Sequence, residues 1–257
     1  MDRMKDKIAV LTGGASGVGL GCAKKILEEG GTVLIADISE EILKKADDLK
    51  AAYGDRVMTV VASCCSEDDM AMAMKLAVDT FGRIDALINC AGISGRGPID
   101  EMPLESWESA IAVTLTGTFI ACRAAVPYMK QRHYGRIVNI ASVGGRGKRG
   151  VNVSYSASKN AVMGLTRGLA MELREEGITV NSVAPGPLNS GPFYAAPGQE
   201  RSPQMAKAVE RLTADVVFHR LGEVSEVAHA VVYLASDEAS WTTGDCLDVN
   251  GGCFMQN

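Results

Sequence analysis

Aromatic residues and histidines are scarce in this chain of 257 residues: Phe, Trp and Tyr together make up 5%, and there are three histidines. Nucleic-acid binding by base stacking needs aromatic side chains, and the net charge of −5 at pH 7 also argues against a nucleic-acid partner. The histidines (His133, His219 and His229) and the seven cysteines form no CxxC or similar ligand cluster. No metal site is therefore predicted.

Long hydrophobic runs are also lacking. No apolar run approaches the roughly 18 residues of a membrane-spanning helix, and the apolar stretch 8–11 is too short for a signal peptide. The odd number of cysteines shows no disulfide-framework spacing, which is typical of thiols in a reducing cytoplasm. We expect a cytoplasmic globular protein with no membrane partner.

Short apolar runs alternate with longer amphipathic stretches, which is typical of a parallel sheet covered by helices. The predicted strands are 7–11, 32–37, 56–62, 84–89, 135–141, 178–184 and 246–249, and helices are predicted near 18–29, 39–52, 67–81, 104–131, 154–175 and 225–236. No repeat or linker divides the chain, so 1–257 is predicted to be one domain. The segment 185–218 holds five of the eight prolines and breaks the alternation, which predicts a substrate lid.

A glycine-rich loop follows the first predicted strand. In TGGASGVGLG, residues Gly13, Gly17 and Gly19 form the pattern TGxxxGxG. A pyrophosphate at a helix N-terminus approaches the backbone closely, and only glycine leaves room for it. The pattern differs from the common GxGxxG fingerprint, and a tight turn without a ligand is the alternative.

Asp37 ends the second predicted strand and favours the nucleotide interpretation. Its carboxylate can accept hydrogen bonds from ribose hydroxyls and repels a 2′-phosphate. Neither Ser16 nor Ile38 supplies a cation for that phosphate, so NAD is predicted rather than NADP. The alternative is that Asp37 only caps the turn into Ser39.

Tyr155 is the only tyrosine with a lysine four residues later, Lys159 in YSASK. On a helix the two side chains share a face, and a cation near a phenol lowers its pKa and makes it a general base. Ser142 ends the fifth predicted strand, NCAG (89–92) ends the fourth, and Pro185 and Gly186 follow the sixth. These signals lie at the strand ends where parallel sheets bind ligands.

Together, TGGASGVG, NCAG, Ser142 with YSASK, VAPG and the terminal VNGG resemble the short-chain dehydrogenase/reductase family, from about Lys5 to Gly252. The resemblance implies an α/β fold with a single doubly wound (Rossmann) domain, in which helices cover both faces of a seven-stranded parallel sheet. It also implies a homotetramer. In this family Tyr155 would be the acid/base, Ser142 would hold the substrate oxygen, and Lys159 would bind the nicotinamide ribose and tune the tyrosine.

The cofactor-binding residues that these motifs predict surround the strand ends. They are Gly13, Ser16, Gly17, Val18, Gly19, Asp37, Ile38, Cys64, Cys65, Asn89, Ala91, Gly92, Tyr155, Lys159, Pro185, Gly186, Leu188 and Ser190. Two of the motifs depart from the family: Cys90 replaces the second asparagine of NNAG, and Cys64 stands where an aspartate often contacts adenine.

A third departure is Thr114, which stands in VTLTG where the family has a helix asparagine that helps to hold a relay water. Threonine offers a hydroxyl of shorter reach, so Thr114 is a candidate catalytic residue for proton relay. The alternative is a space-filling threonine whose hydroxyl bonds a backbone carbonyl one turn earlier.

The predicted function is an NAD-dependent oxidoreductase that interconverts a secondary alcohol and its ketone. The substrate stays open among hydroxysteroids, sugar polyols and 3-oxoacyl esters. A catalytically weak dinucleotide-binding sensor or assembly subunit is the alternative, and Thr114 is its main support.

Specificity is expected from the loops 93–98 and 143–150 and from the lid. Basic residues near the site mouth (Arg96, Arg146, Lys148 and Arg149) would attract an anionic substrate, unless they belong to a solvated loop. Apolar residues of the lid are Phe193, Tyr194, Leu212, Val216, Val217 and Phe218.

Overall fold

The computed structural model describes residues 2–147, 152–196 and 199–255. Within these ranges the strands are β1 (Ile8–Thr12), β2 (Thr32–Asp37), β3 (Val57–Val61), β4 (Ala86–Asn89), β5 (Gly135–Ile140), β6 (Ile178–Pro185) and β7 (Cys246–Val249). They pair in parallel as one sheet in the order β3-β2-β1-β4-β5-β6-β7. The order reverses between β1 and β4, so the predicted doubly wound seven-stranded sheet is confirmed.

The described helices are α1 (Gly17–Glu28), α2 (Glu41–Tyr53), α3 (Glu67–Phe81), α4 (Leu104–Ile111), α5 (Gly117–Lys130), α6 (Val153–Glu172), α7 (Pro203–Thr213) and α8 (Val224–Ala235). Successive side chains of a strand point to opposite faces of the sheet. Leu11 and Ile35 accordingly pack with α1 and α8, whereas Val10 and Leu34 pack with α3 and α5 on the other face. Because both faces are covered, the strands are mostly apolar along their length, as in other parallel sheets.

One continuous helix runs over Leu104–Lys130, because a π-helical turn (Ala112–Thr116) joins α4 to α5. By length and mean hydropathy it would be able to cross a membrane, which a search for uninterrupted apolar runs overlooks. A core helix passes the same test, and 44% of its most apolar window is buried. Since Ala121, Ala125 and Met129 are completely buried, we interpret this stretch as a core helix of the fold.

The proline-rich segment after β6 contains a helix that the sequence pattern did not delimit. The hydroxyl of Ser202 accepts a hydrogen bond from the Met205 amide at 3.3 Å and begins α7. After this helix Val216 is buried, whereas Val217 and Phe218 are more than half exposed. The lid function of this segment stays a prediction, and its residues 197 and 198 lie outside the described ranges.

Candidate active site

The glycine loop between β1 and α1 packs directly on the chain that leaves β4. Gly13 has a positive φ of 67°, and a Cβ there would lie 2.6 Å from the Ala91 amide nitrogen. At Gly19 a Cβ would overlap the Gly13 carbonyl oxygen. Only glycine permits this close approach of two backbone segments, and it leaves backbone N–H groups at the start of α1 open to a ligand.

A cavity of about 430 Å³ extends along the carboxyl edge of the sheet. Most of the predicted cofactor residues line it, namely Gly13, Ser16, Gly17, Val18, Gly19, Asp37, Ile38, Cys64, Cys65, Ala91, Gly92, Tyr155, Lys159 and Ser190. Sequence reasoning missed other lining residues: Thr12, Ala36, Ala62, Ser63, Cys90, Ile93, Val113, Ile140 and Gly191. Most of these are sequence neighbours of motif residues, which is the signal that would have identified them.

Four predicted cofactor residues do not line this cavity. Asn89 is buried, and its amide donates to the Asn139 side chain at 2.9 Å, which ties β4 to β5. Pro185 ends β6 beside Val249. Gly186 and Leu188 line a smaller cavity of about 270 Å³ near the end of β7. A cofactor role for these four residues stays a prediction.

Tyr155 lies in the first turn of α6 and contacts Ser142, which follows β5 closely. Burial raises the pKa of the Tyr155 phenol, and the hydrogen bond from Ser142 partly offsets this effect. The Ser142 hydroxyl also accepts a hydrogen bond from the Gly144 amide at 3.0 Å. A lowered pKa of Tyr155 was expected from the sequence, and the structure gives the opposite direction, because burial disfavours the charged phenolate.

Lys159 lies one helical turn after Tyr155, as the spacing predicts. Its Nζ is 5.8 Å from the centre of the Tyr155 ring and donates a hydrogen bond to the Ile140 carbonyl at 2.6 Å. Burial lowers the pKa of the Lys159 ammonium to about 8. The ammonium therefore stays mainly protonated at neutral pH beside the tyrosine, on the cavity wall.

Thr114 lies in the π-helical turn and is completely buried. Its hydroxyl accepts from the Ile93 amide at 3.1 Å and donates to the Ile93 carbonyl at 3.2 Å. A Cβ on Gly92 would lie 3.1 Å from the Lys159 Nζ and 3.4 Å from the Thr114 Oγ1. The threonine is thus close to the lysine. The alternative of a bond to the carbonyl one turn earlier is wrong, because its partner is the loop after β4.

Asp37 faces the glycine loop at the end of β2. Its carboxylate accepts hydrogen bonds from the Ala15 amide at 2.8 Å and from the Ser39 amide at 3.1 Å. Asp37 therefore both caps the turn into Ser39 and lies on the cavity wall, so the two interpretations of this residue are compatible. The next residue, Ile38, is 72% exposed and places no cation there.

The two adjacent cysteines on the cavity wall differ in exposure. Cys64 is buried, and its thiol donates to the Val113 carbonyl at 3.7 Å. Burial raises the pKa of the Cys64 thiol to about 12. A Cβ on Gly117 would lie 2.7 Å from the Cys64 sulfur, so glycine is needed at that helix position. Cys65 is exposed.

The expected anion-attracting role of Arg146 is wrong. Its Nε lies 3.1 Å from the Asp248 carboxylate, and its guanidinium donates to the Cys246 carbonyl at 3.2 Å. The side chain is only 10% exposed, so its charge is engaged inside the fold. Arg96 is exposed, whereas Lys148 and Arg149 lie outside the described residues.

Among the described residues, no three His, Cys, Asp or Glu side chains are grouped so that they would hold a metal ion.

The chain is similar to known proteins in both sequence and structure. Residues 13–253 match the sequence model of a family described as enoyl-(acyl carrier protein) reductase. A 3-oxoacyl-[acyl-carrier-protein] reductase of Thermotoga maritima is 35% identical over 98% of this chain and 100% of its own length. A 2-(S)-hydroxypropyl-CoM dehydrogenase of Xanthobacter autotrophicus is 33% identical over 98% of both chains.

A solved structure of levodione reductase superposes with a TM-score of 0.89 at 32% identity, covering 97% of this chain and 98% of the other. The relatives named here act as oxidoreductases, and the structural likeness extends over the whole doubly wound sheet. Both findings agree with the glycine loop, the serine, the tyrosine and the lysine at the carboxyl edge. The chain therefore belongs to the short-chain dehydrogenase/reductase family of oxidoreductases.

Proposed function

We propose that this protein is an NAD-dependent oxidoreductase that interconverts a secondary alcohol and its ketone, with Tyr155 as the acid/base. The observation that carries the proposal is the contact of Tyr155 with Ser142, beside the Lys159 ammonium, at a cavity that Asp37 also lines. A proton-transferring group and a nucleotide-selecting carboxylate thus share one cleft.

The residues of the cleft fit a dinucleotide. The absence of a Cβ at Gly13 and Gly19 keeps the loop backbone accessible to a ligand. The N-terminus of α1 favours the negative charge of a pyrophosphate. Asp37 favours ribose hydroxyls over a 2′-phosphate. When bound, NAD supplies the hydride acceptor at the nicotinamide C4 atom.

The side chains of this protein would supply binding and proton transfer. Ser142 accepts from the Gly144 amide, so its own proton is oriented toward Tyr155 or a substrate oxygen. Tyr155 would take the proton of the substrate alcohol at its phenol oxygen, or return it to the ketone. Lys159 would stabilise the phenolate, because a cation held in a buried place interacts strongly with a neighbouring charge.

The substrate class follows from the relatives only coarsely. These relatives are named for a 3-oxoacyl-[acyl-carrier-protein], a hydroxypropyl derivative of coenzyme M and levodione. Among these names, one belongs to a candidate class, the 3-oxoacyl esters. Hydroxysteroids and sugar polyols stay candidates on the family resemblance alone. A homotetramer is proposed on the family resemblance, and a cytoplasmic location on the seven free cysteines, which show no disulfide-framework spacing.

The test is to follow NADH absorbance while the protein is offered a panel of alcohols and ketones from the three candidate classes. We expect turnover with at least one member and a higher kcat/KM with NAD than with NADP. NADH binding without turnover across the panel would contradict the proposal and favour a dinucleotide sensor. Failure to bind NADH would contradict both functions.

A further inference from the structure

A short helical turn follows β5 and begins at Ser142; we call residues 142–147 the serine turn. Its own backbone closes it, because the Gly145 amide donates to the Ser142 carbonyl at 3.0 Å and the Gly144 amide donates to the Ser142 hydroxyl at 3.0 Å. Val143, Gly144 and Gly145 are buried. The position of the Ser142 hydroxyl therefore depends on what holds this turn in place.

Helix α6 donates two side-chain hydrogen bonds to successive carbonyls of the serine turn. The Ser156 hydroxyl donates to the Gly144 carbonyl at 2.8 Å. The Asn160 side-chain amide donates to the Gly145 carbonyl at 2.6 Å. The peptide unit between the two glycines is thus held at both ends, since its carbonyl accepts from Ser156 and its amide donates to the Ser142 carbonyl. Directed bonds, and not apolar contact alone, fasten the turn to the helix.

The backbones of the serine turn and of α6 are also in close contact. A Cβ on Gly145 would lie 2.7 Å from the Asn160 nitrogen and 2.8 Å from the Lys159 carbonyl carbon, so only glycine allows this approach. Tyr155 and Lys159 directly precede the two donor residues in the sequence of α6. The helix that carries the proposed acid/base therefore also holds the serine turn.

We infer that Asn160, supported by Ser156, is a positioning residue that holds the Ser142 hydroxyl beside the tyrosine of α6. Neither donor side chain lines the 430 Å³ cavity, so each acts on the reaction through the serine turn. A misplacement of about 1 Å can lower the rate of an enzyme about 100-fold, so these bonds matter for turnover. The effect on turnover rests on the proposed function, whereas the attachment of the turn to α6 does not.

Variants of Asn160 separate positioning from stability. Asn160 is an exposed residue, so its replacement opens no cavity in the core. Alanine is a better helix former than asparagine, which offsets the lost hydrogen bond in the free energy of unfolding. Asn160→Ala should therefore unfold in urea at nearly the same concentration as the unmodified protein. Asn160→Asp keeps the shape of the side chain and removes its N–H donors, so it should release the turn in the same way.

The first experiment measures hydrogen–deuterium exchange by mass spectrometry in peptides that contain residues 141–147. We expect the amides of Gly144 and Gly145 to exchange about 2–10-fold faster in Asn160→Ala and Asn160→Asp than in the unmodified protein, as the loss of one hydrogen bond implies. Arg167→Ala is the control, because Arg167 is an exposed residue two turns later on α6, and it should leave the exchange unchanged. Unchanged exchange in both Asn160 variants would overturn the inference.

The second experiment compares turnover with NADH binding. We expect kcat to fall about 10–100-fold in Asn160→Ala. The dissociation constant of NADH should stay nearly the same, since residues 142–147 do not line the cavity. Ser156→Thr retains the hydroxyl and should keep more of the unmodified kcat than Ser156→Ala. Arg167→Ala is again the control, with unchanged kcat.

Ser142→Ala tests whether Asn160 acts through Ser142. In that background, measured at high enzyme concentration, Asn160→Ala should lower kcat no further, because the effects of residues that act as a unit are not additive. Additive losses, or an unchanged kcat in Asn160→Ala, would overturn the positioning role. If the unmodified protein turns over no substrate, the proposed function fails, and the exchange experiment still decides whether Asn160 holds the serine turn.

Discussion

The hydroxyl of Thr114 is bonded in both directions to the backbone of a single residue, Ile93, at 3.1 Å from its nitrogen and 3.2 Å to its oxygen. Thr114 belongs to the π-helical turn, and Ile93 belongs to the loop after β4. This contact fastens the loop to the helix beside Lys159. Because the hydroxyl proton is directed to the Ile93 carbonyl, we favour a positioning role over the proton relay predicted from the sequence.

Thr114→Val is expected to destabilise the protein by about 1–3 kcal/mol, since valine removes both partly buried hydrogen bonds to the Ile93 backbone, each worth about 0.5–1.5 kcal/mol. Urea unfolding measures the loss. The pH profile of turnover should keep its shape, and Thr114→Ser, which retains the hydroxyl, should restore stability. A shifted pH profile at unchanged stability would instead support the relay.

Tyr155→Phe is expected to lower turnover by about 10²–10⁴-fold, the usual contribution of a general acid/base. The ring keeps its packing while the hydroxyl in contact with Ser142 is removed. Steady-state kinetics measure the loss, and NADH titration serves as the control because binding should be nearly unchanged. Turnover close to that of the unmodified enzyme would refute the assignment.

Replacing Asp37 by alanine together with Ile38→Arg is expected to narrow or invert the preference for NAD over NADP. The double change removes the carboxylate that repels a 2′-phosphate and adds a cation at a position that is 72% exposed. The ratio of kcat/KM for the two cofactors is the measurement.

Ile38→Arg alone is the matched control for this change, because Asp37 still accepts from the Ala15 and Ser39 amides. It should shift the ratio less than the double change. If the unmodified enzyme uses both cofactors equally well, the argument from Asp37 is wrong.

The buried Lys159 ammonium makes the stability of the protein depend on alkaline pH. Its pKa is lowered from 10.5 to about 8 on folding, so the unfolded chain binds more protons between these two values. The free energy of unfolding therefore rises with pH in this window. Below the window Lys159 is charged in both states, so the folded protein bears the full desolvation cost of the buried ammonium.

Urea unfolding of the unmodified protein and of Lys159→Met measures this effect, since methionine keeps the length of the side chain and removes its charge. Between about pH 7 and pH 9.5 the difference in unfolding free energy should change in favour of the unmodified protein by about 2 kcal/mol. A difference that does not depend on pH would show that Lys159 keeps its ordinary pKa.

Arg146→Met is expected to destabilise the fold by about 1–3 kcal/mol and to leave KM for anionic and neutral substrates in the same ratio. The change leaves the half-buried Asp248 carboxylate without its partner at 3.1 Å. Urea unfolding of Arg146→Met, Asp248→Asn and the double variant forms a cycle. Additive losses would show that the two charges do not interact, and a KM effect confined to anionic substrates would restore the substrate-binding role.

The sequence by itself determined the fold and most of the residues that line the 430 Å³ cavity. Apolar strands alternate with amphipathic helices along the chain. A parallel sheet with helices on both faces buries the strands and the apolar face of each helix, so this pattern predicts that architecture. Gly13, Gly19 and Asp37 were predictable because their chemistry is local: a close backbone approach excludes a Cβ, and a carboxylate at a strand end faces the same edge as the loop. Tyr155 and Lys159 were predictable because helical spacing alone puts them on one face.

Tertiary structure decided the features that depend on partners distant in the chain. The Arg146 guanidinium pairs with the Asp248 carboxylate, about a hundred residues later in the chain. No local sequence pattern predicts that partner. The direction of the Tyr155 pKa shift follows from burial, which only the packed site defines. Thr114 contacts Ile93 because the tertiary fold packs the loop after β4 against the π-helical turn that follows it in the chain.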